Sequence, residues 1–189
     1  MDLGIKNKVA LVLGGGSGLG QAIAFSLASE GCKVVVAGRT EANLQKTVAQ
    51  IQKNGGQGHA LVWDLAQLDQ IDAQFTKIEK LWGSVDILIN NTGGPPPTPA
   101  AGQSPQVWLQ KFQEMVLSVI AITDRALPAM KEKRWGRIIT STSSGAVAPI
   151  PNLAISNTLR SSLHAWSKTL SREVAPFGIT ANILVPGLS

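Results

Sequence analysis

Tyrosine is missing altogether from the 189 residues. Any mechanism that depends on a phenol, the side-chain acid with a pKa near ~10, is therefore excluded. Cysteine occurs once, as Cys32, so no disulfide can form within the chain and the reducing cytoplasm is the expected location. With 2 histidines and no close acidic cluster, no metal site is expected. No stretch approaches the ~18 uninterrupted apolar residues of a spanning helix, and the opening "MDLGIKNK" lacks the apolar run of a secretory signal. Neither a membrane nor a signal-directed route is expected. The net charge of +5 comes from scattered Lys and Arg, "KEKR" at 131–134 being the only tight group, so no nucleic-acid partner is expected.

What is present belongs to an ordered globular protein, with 44% hydrophobic residues, 19 Gly and 10 Pro. The length suits one domain spanning 1–189. Short runs rich in Val, Ile and Leu recur at 9–13, 33–37, 59–63, 86–90, 137–142 and 180–185 and predict six buried strands. Helical periodicity fills 18–30, 41–53, 67–82, 105–133 and 153–174. This alternation predicts an α/β fold, a Rossmann-type doubly wound parallel sheet in three α/β/α layers, with its ligand crevice beyond the carboxyl ends of the strands. The sequence stops at "PGLS", directly after the sixth run, where a lid and a last strand normally wall such a crevice. Either residues are missing, or the site is unusually open.

Directly after the first strand stands "GGGSGLG", residues 14–20, followed by a helix. Glycines allow a tight turn and let backbone N–H groups approach a pyrophosphate resting on the positive end of that helix. The placement between a first strand and a first helix points to dinucleotide binding by Gly14, Gly16, Ser17, Gly18, Leu19 and Gly20. After the second strand, "VVVAGRT" lacks the acidic residue that favours NAD and carries Arg39 and Thr40 instead. A guanidinium pairs well with a 2′-phosphate, so NADP(H) is expected ahead of NAD(H).

The spacing Gly14-x-x-x-Gly18-x-Gly20, followed by Asp64-Leu65, "NNTG" at 90–93, "GRII" at 136–139 and "PG" at 186–187, resembles the short-chain dehydrogenase/reductase family over essentially the whole chain. Through "SKTLSREVAPFGITANILVPG" at 167–187 it looks most like 3-oxoacyl-acyl-carrier-protein reductase-like members. The resemblance implies that Asp64 and Leu65 border the adenine, that Asn91, Thr92 and Gly93 line the cofactor, and that Pro186 and Gly187 flank the nicotinamide. Taken singly, each has a plainer reading as a cap, a turn or a chain stop. Leu13 departs from the family pattern, which begins its glycine motif with Thr and so gains one hydroxyl hydrogen bond.

The family's proton relay uses a Ser after the fifth strand, a Tyr on the next helix, a Lys four residues beyond it and an Asn on the preceding helix. Gap-free matching puts Ser143, Ser156, Arg160 and Met115 at these positions. Ser143 is expected to touch substrate, although strand-end Ser/Thr runs also serve as caps. Ser156 and Arg160 share a helix face. An aliphatic hydroxyl is a far poorer acid than a phenol, so proton delivery would pass through a water held by Ser143 and Ser156. Arg160 would bind the nicotinamide ribose and stabilise an oxyanion without shuttling protons. Met115 reads as apolar packing, His164 as a packing or subunit-contact residue, and His59 as structural.

Two functions follow from this reading. One is an NADP(H)-dependent oxidoreductase acting on a carbonyl or hydroxyl of a small-molecule or acyl substrate. The other is a catalytically degenerate nicotinamide-nucleotide-binding protein with a sensing or assembly role. The family's habit of pairing its helices between subunits, with Trp108 and Trp166 on that surface, implies a homodimer or homotetramer. The proline-rich "TGGPPPTPAAGQSP" at 92–105 is expected as a stiff wall at the crevice rim or as a connector.

Overall fold

In the computed structural model, which describes residues 2–187, the apolar runs become β1 (Val9–Leu13), β2 (Lys33–Gly38), β3 (Gln57–Val62), β4 (Ile87–Asn90), β5 (Gly136–Ser141) and β6 (Ile179–Leu184). Between them lie α1 (Gly18–Ser29), α2 (Glu41–Lys53), α3 (Ile71–Trp82), α4 (Pro105–Phe112), α5 (Ser118–Lys133) and α6 (Ala154–Val174). All strands pair in parallel in the order β3-β2-β1-β4-β5-β6. The order reverses between β1 and β4, where the helices leaving the two strands diverge and open a crevice. Leu188 and Ser189, on which the question of the chain's end falls, lie outside the described residues.

The sheet is covered on both faces because its central strands are apolar on both sides. Leu11, Leu13, Val35 and Leu88 pack with α3, α5 and α6, while Ala10, Val12, Val34, Val36, Ile87 and Ile89 pack with α1 and α2. The expectation of six buried strands needs correction at the margins. β3 and β6 lie at the ends of the described sheet and carry exposed residues along their length, β3 with only Leu61 buried. Val62, for example, is 48% exposed, since an end strand has a neighbour on one side only and helices cover it incompletely.

The helix expected over 105–133 is also interrupted. Ser104 caps α4, its hydroxyl accepting from the Val107 N–H at 3.3 Å with Pro105 in the first turn. A π turn then spans Gln113–Leu117 before α5 begins. The wider turn keeps both Met115 and Val116 buried against Ile155, Leu159 and Leu163 of α6, and the Ser118 hydroxyl donates back to the Glu114 carbonyl at 2.8 Å.

The proline-rich segment serves α6 as well as the rim. Leu153 offers α6 no side-chain cap. The Thr98 carbonyl accepts from the Ala154 N–H at 3.1 Å and the Thr98 hydroxyl from the Ile155 N–H at 3.5 Å. A remote loop thereby satisfies two of the donors that every helix start leaves open.

Candidate nucleotide-binding and active site

Beyond β1 the chain turns through Gly14 and Gly18, both at positive φ (63° and 52°). The turn is braced from β4, where the Asn91 amide donates to the Leu13 carbonyl at 3.3 Å. A Cβ on Gly14 would stand 2.8 Å from Asn91, and one on Gly20 would collide with the Gly14 carbonyl. Glycine is thus required here by close backbone approach as well as by dihedral angle. Ser17, at the N-cap of α1, makes no side-chain cap bond, and the first turn holds no acidic residue. Leu13, the departure from the family pattern, is fully buried in the same cluster as Trp63.

The glycine turn forms one wall of a cavity of about 520 Å3. Among the residues expected at the cofactor, Gly14, Gly16, Ser17, Arg39, Thr40, Asp64, Leu65, Asn91, Thr92 and Gly93 line it. Gly18 and Leu19 are exposed at the start of α1, and Gly20 is buried under the turn. Ser143, Ser156, Arg160, Pro186 and Gly187 are not part of that lining. Sequence reasoning missed Asn43, Trp63, Gln110, Lys111 and Glu114, which also line it. In the sequence, "QKFQE" at 110–114 shows only the charge pairs of a solvated helix face.

Each predicted catalytic side chain has its own environment. The Ser143 hydroxyl accepts from the Gly145 N–H at 3.1 Å, capping a short 3-10 turn. Ser156 is half-buried in the first turn of α6, and its hydroxyl has no hydrogen-bond partner among the described residues. Arg160, one turn along, is 7% exposed. Its guanidinium donates to the carbonyls of Ser141 and Thr92, both at 3.2 Å, tying the ends of β5 and β4 together. Burial pushes its pKa down. No carboxylate lies within ion-pair distance among the described residues, yet guanidinium stays protonated.

Met115 is buried in the cluster between the π turn and α6. His164 lies 2.8 Å, through Nε2, from the Thr142 hydroxyl, which is also 3.1 Å from the Leu184 carbonyl, so it braces β5 and β6. His59, in β3, packs edge-on to Trp82 at the end of α3. Pro186 accepts from the Ser144 N–H at 2.9 Å, fixing the segment after β6.

Geometry of this kind has close counterparts. The model of the short chain dehydrogenase family matches residues 8–189. The chain belongs to that family. A 3-oxoacyl-[acyl-carrier-protein] reductase, FabG of Escherichia coli, is 33% identical over 187 residues, covering 98% of this chain and 75% of that one. The uncharacterized oxidoreductase YvrD of Bacillus subtilis is 30% identical over 187 residues, covering 99% and 70%. Among solved structures, L-sorbose reductase from Gluconobacter frateurii, complexed with NADPH and L-sorbose, superimposes with a TM-score of 0.95 at 30% identity, covering 100% of this chain and 72% of that one. Short-chain dehydrogenases are NAD(P)-dependent oxidoreductases acting on CH–OH and C=O groups, and this chain is of that class. No helix among the described residues is long and apolar enough to cross a membrane.

The residues present fit the adenosine half of such a cofactor. The cavity joins bare amides of a glycine turn, a cation at Arg39 and a polar slot at Asp64–Ala66. The Asp64 carboxylate accepts from the Ala66 N–H at 3.1 Å, which fixes the shape of that slot.

Proposed function

We propose that this chain is an NADP(H)-dependent oxidoreductase that reduces a carbonyl of 3-oxoacyl-like substrates by slow proton delivery without a phenol. One observation carries the reading: Arg39 and Thr40 share a single cavity with the glycine turn and Asp64–Leu65, the arrangement a 2′-phosphorylated adenosine diphosphate requires. The cofactor, when bound, supplies the hydride. Gly14, Gly16, Ser17, Gly18, Leu19 and Gly20 hold the diphosphate; Arg39 and Thr40 take the 2′-phosphate; Asp64 and Leu65 bound the base. Asn91, Thr92, Gly93, Pro186 and Gly187 enclose the remainder.

At the reacting end, Ser143 and Ser156 orient the carbonyl and a water that gives its proton to the alkoxide, the hydroxide left behind being reprotonated from solvent. Arg160 places a fixed positive charge beneath the developing oxyanion. Loss of a positioned phenolic acid costs ~10²–10⁴ in rate, so turnover is slow. The apolar surface that includes Leu109, 69% exposed, and Phe112, 40% exposed, beside the half-buried Trp108 and Trp166, supports a homodimer or homotetramer.

A second reading, a nucleotide-binding protein without turnover, is favoured by the state of two of the matched positions. Arg160 is already engaged with two backbone carbonyls and Met115 is sealed in the core, which leaves fewer groups free for chemistry. NADPH oxidation against a panel of ketones, aldehydes and 3-oxoacyl thioesters separates the two. Turnover above background with any of them supports the first reading. Tight NADPH binding with no turnover leaves the second.

A further inference from the structure

β6 is an end strand of the described sheet, and its two ends are held by different forces. At its start, Ile179 and Ala181 are buried with Leu170 and Val174 of α6. At its finish, Leu184 and the following Val185 are 39% and 43% exposed, so little apolar burial fixes the chain there. What fixes it is polar. The Leu184 carbonyl accepts from the Thr142 N–H at 2.8 Å and from the Thr142 hydroxyl at 3.1 Å, and the Pro186 carbonyl accepts from the Ser144 N–H at 2.9 Å.

These donors all leave the short stretch beyond β5, and one side chain of α6 steadies it. His164 brings Nε2 to 2.8 Å from the Thr142 hydroxyl. A hydroxyl has a single proton. With that proton given to Leu184, Thr142 offers the ring only a lone pair, so the imidazole must carry its own proton on Nε2. Imidazole N–H, hydroxyl and carbonyl then form a one-way chain in which each bond polarises the next. His164 lies four residues beyond Arg160, whose guanidinium donates to the carbonyls of Ser141 and Thr92. One helix thus ties down the ends of β4 and β5 through Arg160 and, through Thr142, the end of β6.

We propose that His164 is a positioning residue for the nicotinamide half of the cofactor: through Thr142 it sets where the Leu184 carbonyl stands, and hence where Pro186 and Gly187 follow. The inference rests on the NADP(H)-binding reading, in which those two residues enclose that half, and deepens it. His164 acts only through the Thr142 hydroxyl. Without the ring, that hydroxyl is free to turn away, and the exposed end of β6 loses one of the few bonds that locate it.

The test reads the two halves of the cofactor separately. Calorimetry is run with NADPH and with adenosine 2′,5′-bisphosphate, and the nicotinamide fluorescence of bound NADPH is recorded beside it. In the wild-type chain, binding raises that fluorescence. His164→Ala is expected to weaken NADPH by about fivefold, the worth of one hydrogen bond, and to return the emission toward that of free NADPH, with bisphosphate affinity unchanged. Thr142→Val, which removes the hydroxyl, behaves the same way. His164→Gln places an amide N–H where Nε2 stood and restores both readouts. Thermal unfolding of each variant checks the fold. Ring-nitrogen NMR of the wild-type chain, which has only 2 histidines, is independent of any variant: a proton on Nε2 of the neutral His164 ring supports the chain of bonds, and one on Nδ1 overturns it. Equal losses for both ligands would reduce His164 to a structural brace and overturn the inference. So would unchanged emission in His164→Ala, or a His164→Gln that behaves like His164→Ala. Absence of heat with either ligand overturns the nucleotide reading itself, and this inference with it.

Discussion

At the adenosine end of the crevice, glycines stand where backbone groups nearly touch, Asn91 ties the turn to β4, and Arg39, Asp64 and Leu65 face one cavity. At the end facing α6, three of the four side chains matched to the family's relay are occupied with structure. Ser143 caps a turn, Arg160 binds two carbonyls and Met115 fills the core. The two ends of the crevice are thus shaped by different strands and loops, one by close backbone approach and the other by side chains bonded to the backbone.

The largest expected effect would erase that contrast. Ser156→Tyr combined with Arg160→Lys returns a phenol and a flexible ammonium to one face of α6, and NADPH-dependent carbonyl reduction is expected to rise by ~10²-fold or more over the starting chain. Steady-state absorbance at saturating NADPH measures it; an unchanged rate shows that the α6 face is not where the proton enters.

A smaller effect breaks the other end. In Gly20→Val the new Cβ meets the Gly14 carbonyl, the glycine turn must open, and NADPH affinity is expected to fall by about a hundredfold. Retention of wild-type affinity by calorimetry would mean that the turn does not hold the diphosphate. Arg39→Ala removes one charge-assisted contact and is expected to weaken NADPH by about tenfold, with little change for NADH. Equal losses for both nucleotides would remove the case for 2′-phosphate recognition.

The smallest effect is structural. Arg160→Leu leaves the Ser141 and Thr92 carbonyls without their donor and is expected to lower unfolding stability by about 2 kcal/mol, while affinity for adenosine 2′,5′-bisphosphate stays unchanged. Denaturant titration and calorimetry together check this; a loss of fragment affinity would show that the two ends are mechanically coupled.

The alternation of strands and helices and the glycine turn were legible because they rest on strong local signals: continuous apolar runs at 9–13 and 33–37, and glycines placed between a strand and a helix. The end strands were less so. "HALVW" at 59–63 has the same apolar content as a central strand, and only its place in the sheet leaves Val62 exposed. The π turn at Gln113–Leu117 was hidden because one extra residue per turn barely disturbs an apolar stripe that Met115, Val116 and Val119 continue. Gln110, Lys111 and Glu114 were missed because spacing reveals which side chains meet on a helix, and not that the helix faces a crevice. The positions matched to the family's relay were assigned by resemblance alone; nothing in the sequence indicated that Arg160 bonds to two strand-end carbonyls.

Calorimetry with the two halves of the cofactor bears most directly on the contrast between the ends of the crevice. Adenosine 2′,5′-bisphosphate is expected to bind within about tenfold of NADPH, and nicotinamide mononucleotide at least about a hundredfold more weakly. Tighter binding of the nicotinamide half, or no heat from the adenosine half, would contradict the account.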